Sequence, residues 1–359
     1  MAVTPDRLIR DEIRALSAYH VADSSGLIKL DAMENPYDLP EEMRAEIGRI
    51  AASTPVNRYP DPAGGELRAR LLEELRLPAD CDLLLGNGSD ELIQVLAMAL
   101  ARPGAVLMAV EPSFVMFRMI ATFVGMRYVG VPLRADFSLD AQRMLEANET
   151  HRPALTFIAY PNNPTGNLFD RAAIDRILDA AHGLVVMDEA YHAFAGESFV
   201  TDLARRPNVL VMRTLSKLGL AGLRLGMLMG GRDWIHELDK VRLPYNINVL
   251  SQRVAAYVLS RREALDAQTA TLRAERGRLA SALAALPGVT PFPSDANFIL
   301  FRVVEADQVF ASIRGAGVLI KNLSAGHPLL QGCLRVTVGR PEENARFLAA
   351  LEGALALVR

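Results

Sequence analysis

Through its middle the chain repeats one pattern: a short apolar run, a glycine or polar turn, then a stretch with helical periodicity. Runs at 83–85, 105–110, 127–131, 154–159, 184–187, 209–212 and 225–229 read as strands. Strands alternating with helices predict a mostly parallel sheet with helices on both faces. Upstream, residues 5–18 alternate charged and apolar positions at helical spacing, and 27–30 reads as a short strand, together forming an arm. Amphipathic helices are expected at 40–50 and 65–75, separated by Asn57-Arg58-Tyr59-Pro60-Asp61-Pro62, which is too proline-rich to be regular. Downstream, 244–261 and 264–286 read as consecutive helices, the second long enough to bridge two lobes. Strands at 297–302 and 333–338 and helices at 307–315 and 341–357 complete a smaller lobe. The expected fold class is α/β: a mostly parallel sheet with helices on both faces plus a smaller α+β domain. The expected division is an arm (1–30), a large domain (31–260) and a small C-terminal domain (261–359).

Composition narrows the partner. With 359 residues, half of them apolar, the chain can bury a large core shared by two lobes. Its 39 basic and 42 acidic residues leave a net charge of −3 without long runs of either sign, which suggests neither a nucleic-acid footprint nor a membrane-surface patch. A small molecule is the expected partner. Cys81 and Cys333 are too few for a disulfide framework or a cysteine-based zinc site, and both lie beside apolar residues, as buried thiols do. A reducing, cytoplasmic setting is expected. The first twenty residues have no apolar core segment, so they do not read as a signal peptide, and the apolar stretch 92–110 is broken by Arg102-Pro103-Gly104 short of bilayer length. The six histidines lack metal-ligand spacing, and no metal site is expected.

Four segments at expected strand ends carry chemistry. In Arg213-Thr214-Leu215-Ser216-Lys217-Leu218-Gly219-Leu220-Ala221-Gly222-Leu223-Arg224, a lone lysine stands inside an apolar, glycine-punctuated run. A buried lysine is paired, shifted toward the neutral amine or converted to an imine; alternatively, it snorkels to the surface. Arg224 supplies a permanent cation suited to phosphate or carboxylate. Gly86-Asn87-Gly88-Ser89-Asp90-Glu91 feeds a helix start, where free N–H groups make an anion cup, although Ser89 or Asp90 would serve equally as an ordinary helix cap. Lacking a third glycine, it suits a single phosphate better than a dinucleotide. Pro161-Asn162-Asn163-Pro164-Thr165-Gly166 is a turn that fixes an asparagine amide, or simply a structural turn. Gly183-Leu184-Val185-Val186-Met187-Asp188-Glu189-Ala190-Tyr191 ends an apolar run in a carboxylate. That aspartate either caps the next helix or pairs with a cation such as a protonated ring nitrogen, with Tyr191 in reach of the same ring.

Together these segments resemble the fold-type I pyridoxal-phosphate aminotransferases, in the order and spacing of Asn163, Asp188, Tyr191, Lys217 and Arg224. Within them the chain is most similar to the histidinol-phosphate aminotransferases, through Met33-Glu34-Asn35-Pro36-Tyr37, Arg58-Tyr59-Pro60 and Gly332-Cys333-Leu334-Arg335-Val336-Thr337-Val338-Gly339. The resemblance implies pyridoxal 5'-phosphate as cofactor and transamination between L-histidinol phosphate and 2-oxoglutarate in histidine biosynthesis. Relatives of the same fold act as aromatic aminotransferases or threonine-phosphate decarboxylases, and a non-catalytic ligand-binding protein on this scaffold is a further alternative. The resemblance also implies site roles. Lys217, Asp188 and Tyr191 would be catalytic, with Lys217 covalently holding the cofactor and Asp188 on the ring nitrogen. Asn163 and Tyr191 would bond the ring's phenolic oxygen, and Phe114 would stack on the ring. Ser89, Asp90, Ser216 and Arg224 would bind the phosphate, joined across a homodimer by the partner's copy of Tyr59. Arg335, assisted by Tyr19 and Asn35, would hold the substrate's anionic group. The loop 218–220 is one residue shorter than in many relatives, and Lys321 stands near where many have an arginine.

Overall fold

Strands form at all seven apolar runs of the middle region and join one sheet in a computed structural model that describes residues 3–18 and 21–358. In chain order the strands are β1 (Ile28–Lys29), β2 (Cys81–Asn87), β3 (Val106–Glu111), β4 (Arg127–Pro132), β5 (Leu155–Ala159), β6 (Leu184–Asp188), β7 (Val209–Thr214), β8 (Leu225–Gly231), β9 (Thr290–Pro291), β10 (Phe298–Arg302), β11 (Val318–Leu319), β12 (Lys321–Asn322) and β13 (Cys333–Thr337). The main sheet runs β2-β8-β7-β6-β5-β3-β4, with only β8 antiparallel to its neighbours. Since β2 and β7 both oppose β8, the carboxyl ends of β2, β3, β5, β6 and β7 lie along one edge. Ligands of open α/β sheets bind at such an edge.

The inner strands are buried on both faces, and their alternation divides the core in two. Met108, Val110, Ile158, Val185, Met187, Val209 and Val211 point into one cluster; Leu107, Ala109, Leu155, Phe157, Val186, Leu210 and Met212 point into the other. A third cluster belongs to the smaller lobe, where the sheet β12-β13-β10-β9 and the pair β1-β11 are covered by helices Ala306–Gly315 and Pro341–Leu357. Helix Glu263–Ala285 joins the lobes, with Leu265 in a main-sheet cluster and Leu272, Leu279 and Leu283 in the smaller one.

Two expected helices differ. The segment at 5–18 forms two single turns, Pro5–Leu8 and Asp11–Arg14, with Ile9 extended between them. There Arg10 reaches the carbonyl of Phe123, so a distant contact overrides the local periodicity. The helix expected at 244–261 begins only at Val249, because Asn248 caps it, its side chain accepting from Ser251 N–H at 2.9 Å. Tyr245 before it takes φ +61° and stacks on Tyr59.

Candidate active site

A cavity of about 200 Å³ opens at the carboxyl edge of the sheet. It is lined by Ser89, Asp90, Phe114, Asn163, Asp188, Tyr191, Ser216, Lys217 and Arg224, which brings nine of the residues expected at the site to one place. Each arrives on a different segment: Ser89 and Asp90 after β2, Phe114 after β3, Asn163 after β5, Asp188 and Tyr191 at and after β6, the lysine loop after β7.

The anion cup is a helix start without a side-chain cap. Helix Ser89–Leu100 is capped by Gly88, and no side chain accepts from its first-turn amides, so Ser89 and Asp90 are inside the helix and do not cap it. Gly88 has φ +82°, and a Cβ there would stand 2.5 Å from the Arg224 guanidinium. Arg224, itself at φ +52°, donates through Nη1 to Ser216 Oγ at 3.4 Å and faces Asp90 Oδ2 at 3.7 Å. Thr214 Oγ1 fixes the same turn, donating to the Leu225 carbonyl at 3.0 Å and accepting from Ser216 N–H at 3.1 Å. Free amides, a hydroxyl and a guanidinium thus converge on one point, a donor set that fits a phosphoryl group. Asp90 Oδ1 is buried without a hydrogen-bond partner among the described residues, and burial, opposed by Arg224 and Lys217, raises its carboxyl above the usual range.

Asp188 ends β6 and is buried. Burial pushes it up to about 7; Ala190 N–H, donating to Oδ1 at 3.1 Å, opposes the shift, while Asp90 and Glu189 add to it. Among the described residues the Asp188 carboxylate has no cationic partner at contact distance, so a protonated nitrogen in the cavity would relieve its cost. Next to it, Glu189 is spent structurally: Arg213 Nε and Nη2 donate to its Oε2 at 2.9 and 2.8 Å, and Phe199 N–H donates to Oε1 at 2.6 Å.

Lys217 enters from the short turn Ser216–Leu218. Its amine donates to the Ala32 carbonyl at 3.3 Å and stands 5.8 Å from the centre of the Tyr191 ring. Burial first, and then Arg335, pushes the amine down to about 8, so a useful fraction is neutral near physiological pH. Phe114 supplies an apolar wall, and Tyr191 is held edge-on by Phe298, with ring centres 5.2 Å apart. An anion cup, an aromatic wall, a buried carboxylate and an amine whose charge burial disfavours fit a planar, phosphate-bearing heterocycle with a reactive carbonyl.

A second, larger cavity of about 790 Å³ shares Met33, Phe114 and Asn163 with the first and adds Arg335, Lys321 and His327. Arg335 on β13 is buried, donating through Nη1 to Asn163 Oδ1 and through Nη2 to the Asp31 carbonyl at 3.1 Å. Lys321 lies beside it in register on β12. Asn35, expected to assist with substrate, lines neither cavity: its amide is engaged by Leu218, Gln268 and Tyr37. Tyr59 is 82 % exposed and also lies outside both cavities of its own chain. Tyr19 falls outside the described residues. Sequence reading did not single out Glu34 or the Ala32 carbonyl as site groups. A backbone acceptor leaves no mark in side-chain pattern, but Glu34, one residue from the flagged Asn35, was within reach of it.

A doubly wound sheet with a lysine, an aspartate and an anion cup at its carboxyl edge defines an α/β enzyme of group transfer. The chain belongs to the aminotransferase class I and II family, whose description matches residues 25–351. It is 55 % identical over 354 residues to "Histidinol-phosphate aminotransferase 1" of Ralstonia nicotianae, covering 97 % of this chain and 95 % of that one. It is 52 % identical to "Histidinol-phosphate aminotransferase" of Chromobacterium violaceum, covering 98 % of this chain and 99 % of the relative. Among solved structures, the fold matches histidinol-phosphate aminotransferase from Sinorhizobium meliloti in complex with pyridoxal-5'-phosphate, with a TM-score of 0.88 over 98 % of each chain at 23 % identity. Among the described residues no helix is long and apolar enough to cross a membrane.

Proposed function

We propose that the chain moves an amino group between L-histidinol phosphate and 2-oxoglutarate, using pyridoxal 5'-phosphate. The observation that carries this reading is the presence of the Lys217 amine and the Asp188 carboxylate in one cavity whose rim is a helix start without a side-chain cap. Relatives at 52–55 % identity that bear the histidinol-phosphate aminotransferase name support the substrate. When bound, the cofactor supplies an electron sink that makes a proton on the substrate's Cα removable.

The chain's residues do the rest. Ser89 and Asp90 amides, Ser216 and Arg224 would hold the phosphate, Phe114 would cover the ring, and Asn163 and Tyr191 would bond its phenolic oxygen. Asp188 would pair with a protonated ring nitrogen, whose charge would offset the cost of burying the carboxylate. Lys217 would hold the cofactor covalently and would serve as the base that accepts and returns the substrate's Cα proton; an amine near 8 suits a base working at neutral pH. Arg335 takes the substrate's anionic group, because a guanidinium fork matches carboxylate and phosphate alike. Lys321, on the neighbouring strand, adds a point charge to the same cavity.

The active unit is a homodimer in which Tyr59 reaches the partner's phosphate site. Its exposure, its stacking on Tyr245 at 4.6 Å and the exposure of Val56 and Leu243 support this, as apolar surface of this kind favours association. The deciding experiment is a coupled assay with histidinol phosphate, phenylalanine and threonine phosphate as amino donors to 2-oxoglutarate. Histidinol phosphate is expected to give the highest kcat/KM; a preference for phenylalanine, or carbon dioxide release from threonine phosphate, contradicts the assignment.

A further inference from the structure

The side chain of Asn35 is fully engaged away from both cavities. Its Nδ2 donates to the Leu218 carbonyl at 3.1 Å and to Gln268 Oε1 at 2.9 Å, while its Oδ1 accepts from Tyr37 N–H at 2.9 Å. Gln268, on helix Glu263–Ala285, is itself fixed at its other end, Nε2 donating to the Asp38 carbonyl at 2.8 Å. Against them Gly219 takes φ +114°, and a Cβ there would stand 3.0 Å from Asn35 Nδ2, so glycine lets the amide lie close to the loop.

Three residues before Asn35, the Ala32 carbonyl accepts from the Lys217 amine at 3.3 Å. One segment therefore grips the lysine loop twice, at the side chain of residue 217 and at the backbone of residue 218. That segment is anchored in the smaller lobe, where Met33 N–H donates to Thr337 Oγ1 and Asn297 Nδ2 donates to the Met33 carbonyl, both at 2.9 Å.

We propose that Asn35 and Gln268 are positioning residues: they clamp the loop Lys217-Leu218-Gly219 against the 32–35 segment and so fix where the Lys217 amine stands. The proposal rests on the role given to Lys217 above. Gln268 lines neither cavity and acts only through Asn35. The clamp is neutral, whereas Arg335, Glu34, Asp90, Arg224 and Asp188 are the charged groups that act on the amine. The clamp thus acts on the amine through its position and burial, and the charged groups act on it directly. Without the clamp the loop relaxes, water reaches the amine and its proton affinity rises, because burial is the first cause of its depression.

The test mixes full-length chain stripped of cofactor with pyridoxal phosphate and follows capture by absorbance against pH. Capture needs the neutral amine, so its rate rises through the amine's own midpoint, expected near about 8 in the wild type. In Asn35→Ala and Gln268→Met the midpoint is expected to rise by roughly half a unit or more. Turnover should fall about tenfold or more, with KM for glutamate within about twofold, as for a misplaced catalytic group. The double variant should be no worse than Asn35→Ala, because both act through one carboxamide. Gln268→Ala replaces Gln268→Met, with the same expectation, if the latter does not fold. Folded variants with an unchanged midpoint, or losses that add in the double variant, overturn the clamp. A wild-type chain that captures no pyridoxal phosphate at any pH contradicts the assigned function, and this proposal with it.

Discussion

Arg335 and Asn163 are hydrogen-bonded across the seam between the lobes, the guanidinium Nη1 donating to the asparagine Oδ1 over 172 positions of sequence. The same guanidinium holds the Asp31 carbonyl through Nη2 at 3.1 Å, so a single fork ties the turn after β5 to β13 and to the segment that meets Lys217. Lysine keeps the charge but not the fork. For Arg335→Lys we expect KM for both glutamate and histidinol phosphate to rise about 10- to 100-fold, the range of one or two lost charge-assisted hydrogen bonds. Steady-state kinetics with each donor checks this.

The two buried ionisable groups leave a pH signature in the cofactor-free chain. Asp188 is raised to about 7 from an ordinary value of 3.8, so its contribution is intact below pH 4 and is lost as pH rises toward 7. Lys217 is lowered to about 8 from 10.5, so its cost is full below pH 8 and disappears as pH rises through 10.5. Asp188→Asn should therefore raise the melting temperature of the cofactor-free chain at pH 8 and leave it unchanged at pH 4, while reducing turnover. Thermal melts at the two pH values check the sign.

Gly88→Ala tests the anion cup. Alanine at φ +82° costs roughly 1–2 kcal/mol and its Cβ meets the Arg224 guanidinium, which must turn away from Ser216. Affinity for pyridoxal phosphate is expected to drop at least about tenfold, read by absorbance titration.

The Arg213–Glu189 pair predicts a stability effect. Glu189 is wholly buried and accepts two bonds from Arg213, so Arg213→Met leaves a carboxylate inside the protein without its cation. The loss should be about 3–5 kcal/mol, measured by urea unfolding.

The main sheet was legible because strands buried on both faces are written as plain apolar runs, and 106–110 or 184–187 admit no other use in a chain of this pattern. The site residues were legible only in combination: each of Asp188, Asn163 and Lys217 has an ordinary structural use, and their order at successive strand ends gave the family resemblance. What escaped was set by distant contacts. Arg10 breaks the arm by reaching Phe123, and Asn35 turns toward Leu218 and Gln268, 183 and 233 positions away. The late start of the helix at Val249 had a local signal in Asn248, an N-cap residue before an apolar run, which the apparent periodicity from residue 244 concealed.

The most direct measurement is the rate of glutamate formation or consumption by Lys217→Ala beside the wild type, with histidinol phosphate and 2-oxoglutarate as the pair and pyridoxal phosphate in excess. A base that moves the Cα proton contributes about 10²–10⁴-fold, so the variant should lose at least that much turnover while still binding the cofactor phosphate. Turnover at the wild-type rate would contradict the role given to this amine, and with it the reading of the site.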